Sequence, residues 1–164
     1  MLHFDGKRWT EVATPSPGPG FSTLFSVSAS APDDVWAAGE WWGGDDGDAV
    51  PWMVHFDGTS WSAAEIPDLT TNGGFSGVSA LDADTAVAVG VDYSYPVDDS
   101  RIVIEWDGNS WTRAEQEGGT DTAWLAAVDL APDGGGWTVG SNQSGSPFEG
   151  NYVSTDYIER RTCG

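Results

Sequence analysis

A short stretch written three times constrains this chain more than any other feature. His3-Phe4-Asp5-Gly6-Lys7-Arg8-Trp9 returns as His55-Phe56-Asp57-Gly58-Thr59-Ser60-Trp61 and as Glu105-Trp106-Asp107-Gly108-Asn109-Ser110-Trp111, at spacings of 52 and 50 residues. A period of that length belongs to arrays, solenoids and propeller blades. Asp-Gly in a short polar loop between apolar residues is a hairpin signal, because Gly takes positive φ without steric cost. The flanking aromatics, such as Phe56 and Trp61, then lie on strands that the turn brings side by side.

A second repeated element runs between these turns. Val27-Ser28-Ala29 through Val35-Trp36-Ala37-Ala38-Gly39 matches Val78-Ser79-Ala80 through Ala86-Val87-Ala88-Val89-Gly90 without gaps. The third copy runs from Val128-Asp129-Leu130 to Trp137-Thr138-Val139-Gly140, its turn slipped by one residue. Alternating runs on either side of a Pro/Asp/Gly turn read as strand, turn, strand. Each repeat therefore holds four strands, A to D. Strand A covers Leu24 to Ala29, Phe75 to Ala80 and Leu125 to Leu130; strand B covers Val35 to Gly39, Ala86 to Gly90 and Gly136 to Gly140. Strand C covers Trp52 to Phe56, Ile102 to Trp106 and Tyr152 to Tyr157, and strand D follows each Asp-Gly turn. No window keeps a helical period.

Four antiparallel strands per 50 residues predict an all-β chain, a β-propeller of about three blades. The whole chain, 1–164, reads as one partial propeller, with repeats at approximately 1–12 (strands C and D only), 21–66, 72–115 and 122–158. Ser26, Ser28, Gly77, Ser79, Ala127 and Asp129 keep strand A small, as a crowded central axis requires. A sandwich would accommodate the alternation without demanding the repeat. Three blades leave open edges. Two chains would close a six-blade homodimer, the N-terminal strand completing a neighbour's last blade; the alternatives are a higher oligomer or a piece of a longer propeller.

The charge excludes some partners. Lys and Arg number 6 against 26 Asp and Glu, a net charge of −20. Nucleic acid needs clustered cations, so it is excluded as a partner, as is an anionic membrane surface. Solubility, adaptation to high salt or calcium loading each account for the acidity. Cys163 is the only cysteine, so no disulfide forms within the chain. The longest apolar run, Ala86 to Val91, is too short to cross a bilayer. Met1 leads into the first repeat without a secretory leader's pattern, which leaves open a mature segment, export by another route, or residence inside the cell.

The pairing of Asp33-Asp34-Val35-Trp36-Ala37-Ala38-Gly39 with His55-Phe56-Asp57-Gly58-x-x-Trp61 resembles bacterial secreted β-propeller repeat proteins of the Kelch-like and Asp-box-like kind. That resemblance implies a propeller at the cell surface or outside the cell. The adjoining Asp and Gly depart from the strict Asp-box, which separates them by one residue.

Long variable loops on a repeating scaffold are where binding resides. The B–C loops supply Trp41, Trp42, Tyr93, Tyr95, Asn142, Gln143 and Phe148, aromatic faces with amide acceptors that suit a sugar ring's apolar face and hydroxyl fringe. Packing of the loops onto the propeller explains the same aromatics, and such a rim also suits a protein partner. Asp45, Asp46 and Asp48 form a candidate calcium site without EF-hand spacing. Catalytic signals are weak. His3, His55, Glu105 and Asp156 read as one repeat slot filled by any polar residue, and neither a nucleophile elbow, a P-loop nor a dinucleotide fingerprint is present. Asp98 with Glu149 or Asp45 could form a glycosidase pair. The expected function is a non-enzymatic, lectin-like binding module, with a multichain assembly subunit second and a carbohydrate-active hydrolase third.

Overall fold

The computed structural model describes residues 1–43, 47–69, 72–94, 100–115, 122–144 and 153–161, and among these it contains strands and no helix. An N-terminal hairpin, β1 (Leu2–Phe4) and β2 (Trp9–Glu11), forms a two-stranded sheet of its own. Blade 1 is β3 (Phe21–Ala31), β4 (Asp34–Trp42), β5 (Ala49–Phe56) and β6 (Trp61–Ala63). Blade 2 is β7 (Gly73–Asp82), β8 (Thr85–Asp92), β9 (Arg101–Trp106) and β10 (Trp111–Arg113). Blade 3 has three strands, β11 (Thr122–Leu130), β12 (Gly136–Ser144) and β13 (Val153–Arg161). Every pairing is antiparallel and between neighbours in sequence. The chain is an arc of a β-propeller. Among the described residues, no helix is long and apolar enough to cross a membrane.

The Asp-Gly turn is built identically each time. Gly6, Gly58 and Gly108 have φ of 91°, 87° and 87°, a region where an L side chain is strained. One carboxylate oxygen of Asp57 accepts the N–H groups of Thr59 (2.8 Å) and Ser60 (2.9 Å). Asp5 and Asp107 hold the corresponding amides at 2.8–2.9 Å. Phe4 faces Trp9, Phe56 faces Trp61, and Trp106 faces Trp111 across the three hairpins.

Strand A carries a β-bulge at the same place in every blade, between Leu24 and Ser26, Phe75 and Gly77, and Leu125 and Ala127. Opposite it stands the repeated strand-B glycine. A Cβ on Gly39, Gly90 or Gly140 would sit about 2 Å from a strand-A carbonyl oxygen, so only Gly fits. The small strand-A residues let neighbouring blades approach: a Cβ on Gly77 would stand 3.1 Å from Ala127 Cα of blade 3. Ser26 and Ser28 face blade 2, where their Oγ atoms accept the N–H groups of Val78 (3.1 Å) and Ala80 (3.0 Å). Ser79 repeats this one blade on, accepting from Leu130 N–H at 3.0 Å. The innermost strands of adjacent blades are stitched together, which requires short side chains.

Apolar packing lies between blades. Trp36, Ala38 and Met53 of blade 1 meet Phe75, Val78, Ile102, Ile104 and Trp111 of blade 2. Val87 and Val89 of blade 2 meet Leu125 and Leu130 of blade 3. Trp36, but not Val87, fills an interface with a large ring, and Trp137 fills none.

Two expectations need correcting. β4 and β12 run further than expected, so Trp41, Trp42, Asn142 and Gln143 lie on strands, where pairing continues past the expected loop starts. The strand-C slot of His55 and Glu105 is taken in blade 3 by Arg160, because the register pairs Trp36 with His55, Val87 with Glu105 and Trp137 with Arg160; Asp156 pairs with Ser141. At the N-terminus β1 and β2 pair as the expected C–D hairpin (Leu2↔Glu11, Phe4↔Trp9).

Candidate functional site

Trp42 and Tyr93, two of the residues singled out for ligand binding, converge on a side chain the loop reading passed over. Glu40 on β4 is 8% exposed. Its two carboxylate oxygens accept the Trp42 Nε1–H at 2.8 Å and the Tyr93 hydroxyl at 3.2 Å. Gly74 lies beneath it, and a Cβ there would stand 2.7 Å from Glu40 Oε2. Burial, then the neighbouring Glu40 charge, pushes the Tyr93 hydroxyl up to about 12. The signal in the sequence was strand alternation carried one residue past Gly39.

Trp42 makes a second contact, and Trp41 is engaged as well. Trp42 stacks on Phe21, with centroids 5.8 Å apart and planes 10° off parallel, and Phe21 remains 62% exposed. Trp41 turns toward the Pro-rich D–A loop, where its Nε1–H donates to the Pro19 carbonyl at 3.0 Å. Its ring also walls a depression of about 850 Å³ shared with Pro17, Trp52, Ile66 and Pro67. Asn142 lies on β12, half-buried, opposite Ala123 and Thr155, and Gln143 follows it on the same strand. Tyr95, Phe148, Asp45 and Asp46 lie outside the described residues, as do Asp98 and Glu149. Asp48 is half-buried, and among the described residues no three His, Cys, Asp or Glu gather as cation ligands.

His55 belongs to a polar triplet, but in an order that does not activate a nucleophile. Asp34 stands in the middle: Oδ1 lies 2.6 Å from His55 Nε2, and Oδ2 accepts the Ser30 hydroxyl. General-base activation needs the imidazole between the two. The triplet instead ties the A–B turn of blade 1 to β5, with the Trp36 ring 4.1 Å from the imidazole.

A more open site lies where the blades converge. Phe25, Ser76, Tyr93, Trp124, Ser141 and Asp156 line a groove of about 780 Å³. Phe25 and Ser76 are the extra residues of the strand-A bulges; the Ser76 hydroxyl donates to the Leu125 carbonyl of blade 3, whereas the Phe25 ring is left exposed. Trp124, Ser141 and Asp156 are register partners across β11, β12 and β13, so they form one row on one face of blade 3. Phe25 is 56% and Trp124 45% exposed, and Tyr93 lies against Trp124 at 5.8 Å. Beneath the groove, the buried Arg101 donates to the Tyr157 hydroxyl at 2.8 Å and binds blade 2 to blade 3. A bulge such as that at Phe25 has no signature at the level of strand alternation, and Trp124 precedes the expected start of its strand at Leu125, so the sequence did not nominate either.

No protein-family model and no curated protein matches the chain. Among solved structures, one titled "YCF48 bound to D1 peptide" superposes with a TM-score of 0.54 at 15% identity, over 83% of this chain and 42% of that chain. The present chain thus spans less than half of that protein's length, and the likeness places this fold among the β-propellers.

Proposed function

We propose that this chain is a non-catalytic binding module that takes an extended protein segment in the groove between Phe25 and Trp124. The observation that carries this reading is the pair of large exposed rings facing a fixed polar row, Ser141 and Asp156, on a rigid sheet. Rings of this kind hold apolar side chains at low entropic cost, and the carboxylate selects a donor or a cation. A net charge of −20 favours a basic segment. A propeller of the same fold carries a peptide in its title, which supports the reading without assigning this groove.

The test is retention of arrayed basic, aromatic-containing octapeptides by the chain. Trp124→Ala should weaken binding by at least about tenfold, or ~1.4 kcal/mol, and Asp156→Asn should remove the preference for basic peptides. Unchanged retention by Trp124→Ala would remove this site. A second reading, glycan binding at the long-loop rim, is favoured by the stacked Phe21–Trp42 pair with its exposed outer ring. It requires glycan-array binding that Phe21→Ala abolishes and Trp124→Ala leaves intact.

A further inference from the structure

Blade 3 ends in a row of side chains whose equivalent in blade 1 is covered. Asp129, Trp137 and Arg160 are register partners across β11, β12 and β13. The equivalent row in blade 1 is Ser28, Trp36 and His55. Blade 2 closes that row: Ala80 N–H donates to Ser28, and Trp36 packs against Trp106 and Trp111 at centroid distances of 5.1 and 5.0 Å. The two closing rings are the aromatics that flank an Asp-Gly turn. On blade 3, Trp137 is 51% exposed, with the Arg160 guanidinium 5.8 Å from its ring centroid.

The chain also carries a hairpin of the closing kind with both rings uncovered. Phe4 is 47% and Trp9 65% exposed, and they flank the turn at Asp5-Gly6. Their centroids are 5.2 Å apart at 36°, close to the 5.8 Å and 45° of Trp106 and Trp111. We propose that the β1–β2 hairpin of a second copy seats on the Asp129–Trp137–Arg160 row, Phe4 and Trp9 taking the places that Trp106 and Trp111 hold against Trp36. The interface continues the blade 1–blade 2 contact in the same register. Hairpin and row are different surfaces, so the contact is heterologous and propagates head to tail unless a ring closes it. The groove row of Trp124, Ser141 and Asp156 is left for its own ligand.

Charge sets the conditions. A net −20 on each copy opposes association. Lys7 and Arg8 on the hairpin and Arg160 in the row are half of the chain's 6 cations, and they offset Asp5, Glu11 and Asp129 at these two surfaces. Salt screens the remaining repulsion. Association therefore strengthens with added salt, opposite to a contact held by ion pairs.

Sedimentation velocity of the chain across a dilution series, in low and high salt, tests this. The wild type should form species larger than one chain in high salt. Trp9→Ser and Trp137→Ser, both at exposed positions, should each weaken association by at least about tenfold. Mixing these two variants should restore a dimer that grows no further, because one copy keeps only its hairpin and the other only its row. A wild type that stays monomeric, variants that associate normally, or a mixture that stays monomeric would each overturn the proposal. So would loss of association in Val27→Ser, since the exposed Val27 would then place blade 1 itself on the row.

Discussion

Trp36 and Trp137 occupy the same slot of the repeat and have opposite environments. Trp36 is 4% exposed and Trp137 is 51% exposed. Within their own blades they are alike: each lies across a strand pair from a cationic or imidazole side chain, His55 or Arg160. They differ only in what the next blade brings. Trp36 has Trp106 and Trp111 against it, whereas Trp137 is on the outward face of the last blade described. The slot thus supplies a ring locally, and a neighbour decides whether it becomes core. Stability in such an array is a sum over blades and over the contacts between them.

The comparison is most easily broken at the tryptophans. Trp36→Ala should cost about 3–5 kcal/mol, the usual range for emptying a large aromatic site in a core. Trp137→Ala, measured where the chain is monomeric, should stay within about 0.5 kcal/mol of wild type, as exposed substitutions do. Urea unfolding followed by tryptophan fluorescence reads both. Equal losses would mean that the blades share one core and that the interfaces are not separable units.

A smaller effect sharpens the same contrast at the innermost strand. Ser79, 7% exposed, accepts the Leu130 N–H at 3.0 Å, and Asp129 holds the matching slot of blade 3 in the open. Ser79→Ala leaves a buried amide without its acceptor and should cost about 1–3 kcal/mol. Asp129→Ala should change stability by less than about 0.5 kcal/mol. The same denaturation series measures the pair, and a costly Asp129→Ala would show that the slot matters within its own blade.

What the sequence disclosed follows the same division between local and neighbour-dependent features. The Asp-Gly turns, the strand order and the incomplete third blade were legible because each is fixed by a few adjacent residues. Propagation past a turn signal was not, which is why Trp41, Trp42 and Asn142 were read as loop when they lie on β4 and β12. The Arg160 slot was misassigned to Asp156 for a related reason: no Asp-Gly marks the end of β13, so its register had no anchor. Glu40 was passed over because its importance comes from Tyr93 on another blade. Phe25 and Trp124 owe their exposure to a bulge and to blade convergence, which the pattern of one strand does not encode.

The turns give the least energetic and most local version of the comparison. Asp5, Asp57 and Asp107 are exposed, and each is held below the usual aspartate range, first by one backbone amide three residues on and then by a second. Their depressed values contribute stability above the unfolded pKa of ~3.9, and that contribution is lost as pH falls through the folded value. The hairpin carrying Asp5 has no neighbour closing on its aromatics, yet the two amides are its own. Carboxyl carbon shifts in an acid titration should therefore show all three aspartates titrating low together. Asp5 titrating in the ordinary range while Asp57 and Asp107 stay low would mean that blade packing, and not the turn, sets the geometry. The local half of the contrast would then fail, and with it the picture of a ring supplied by its own blade and buried by the next.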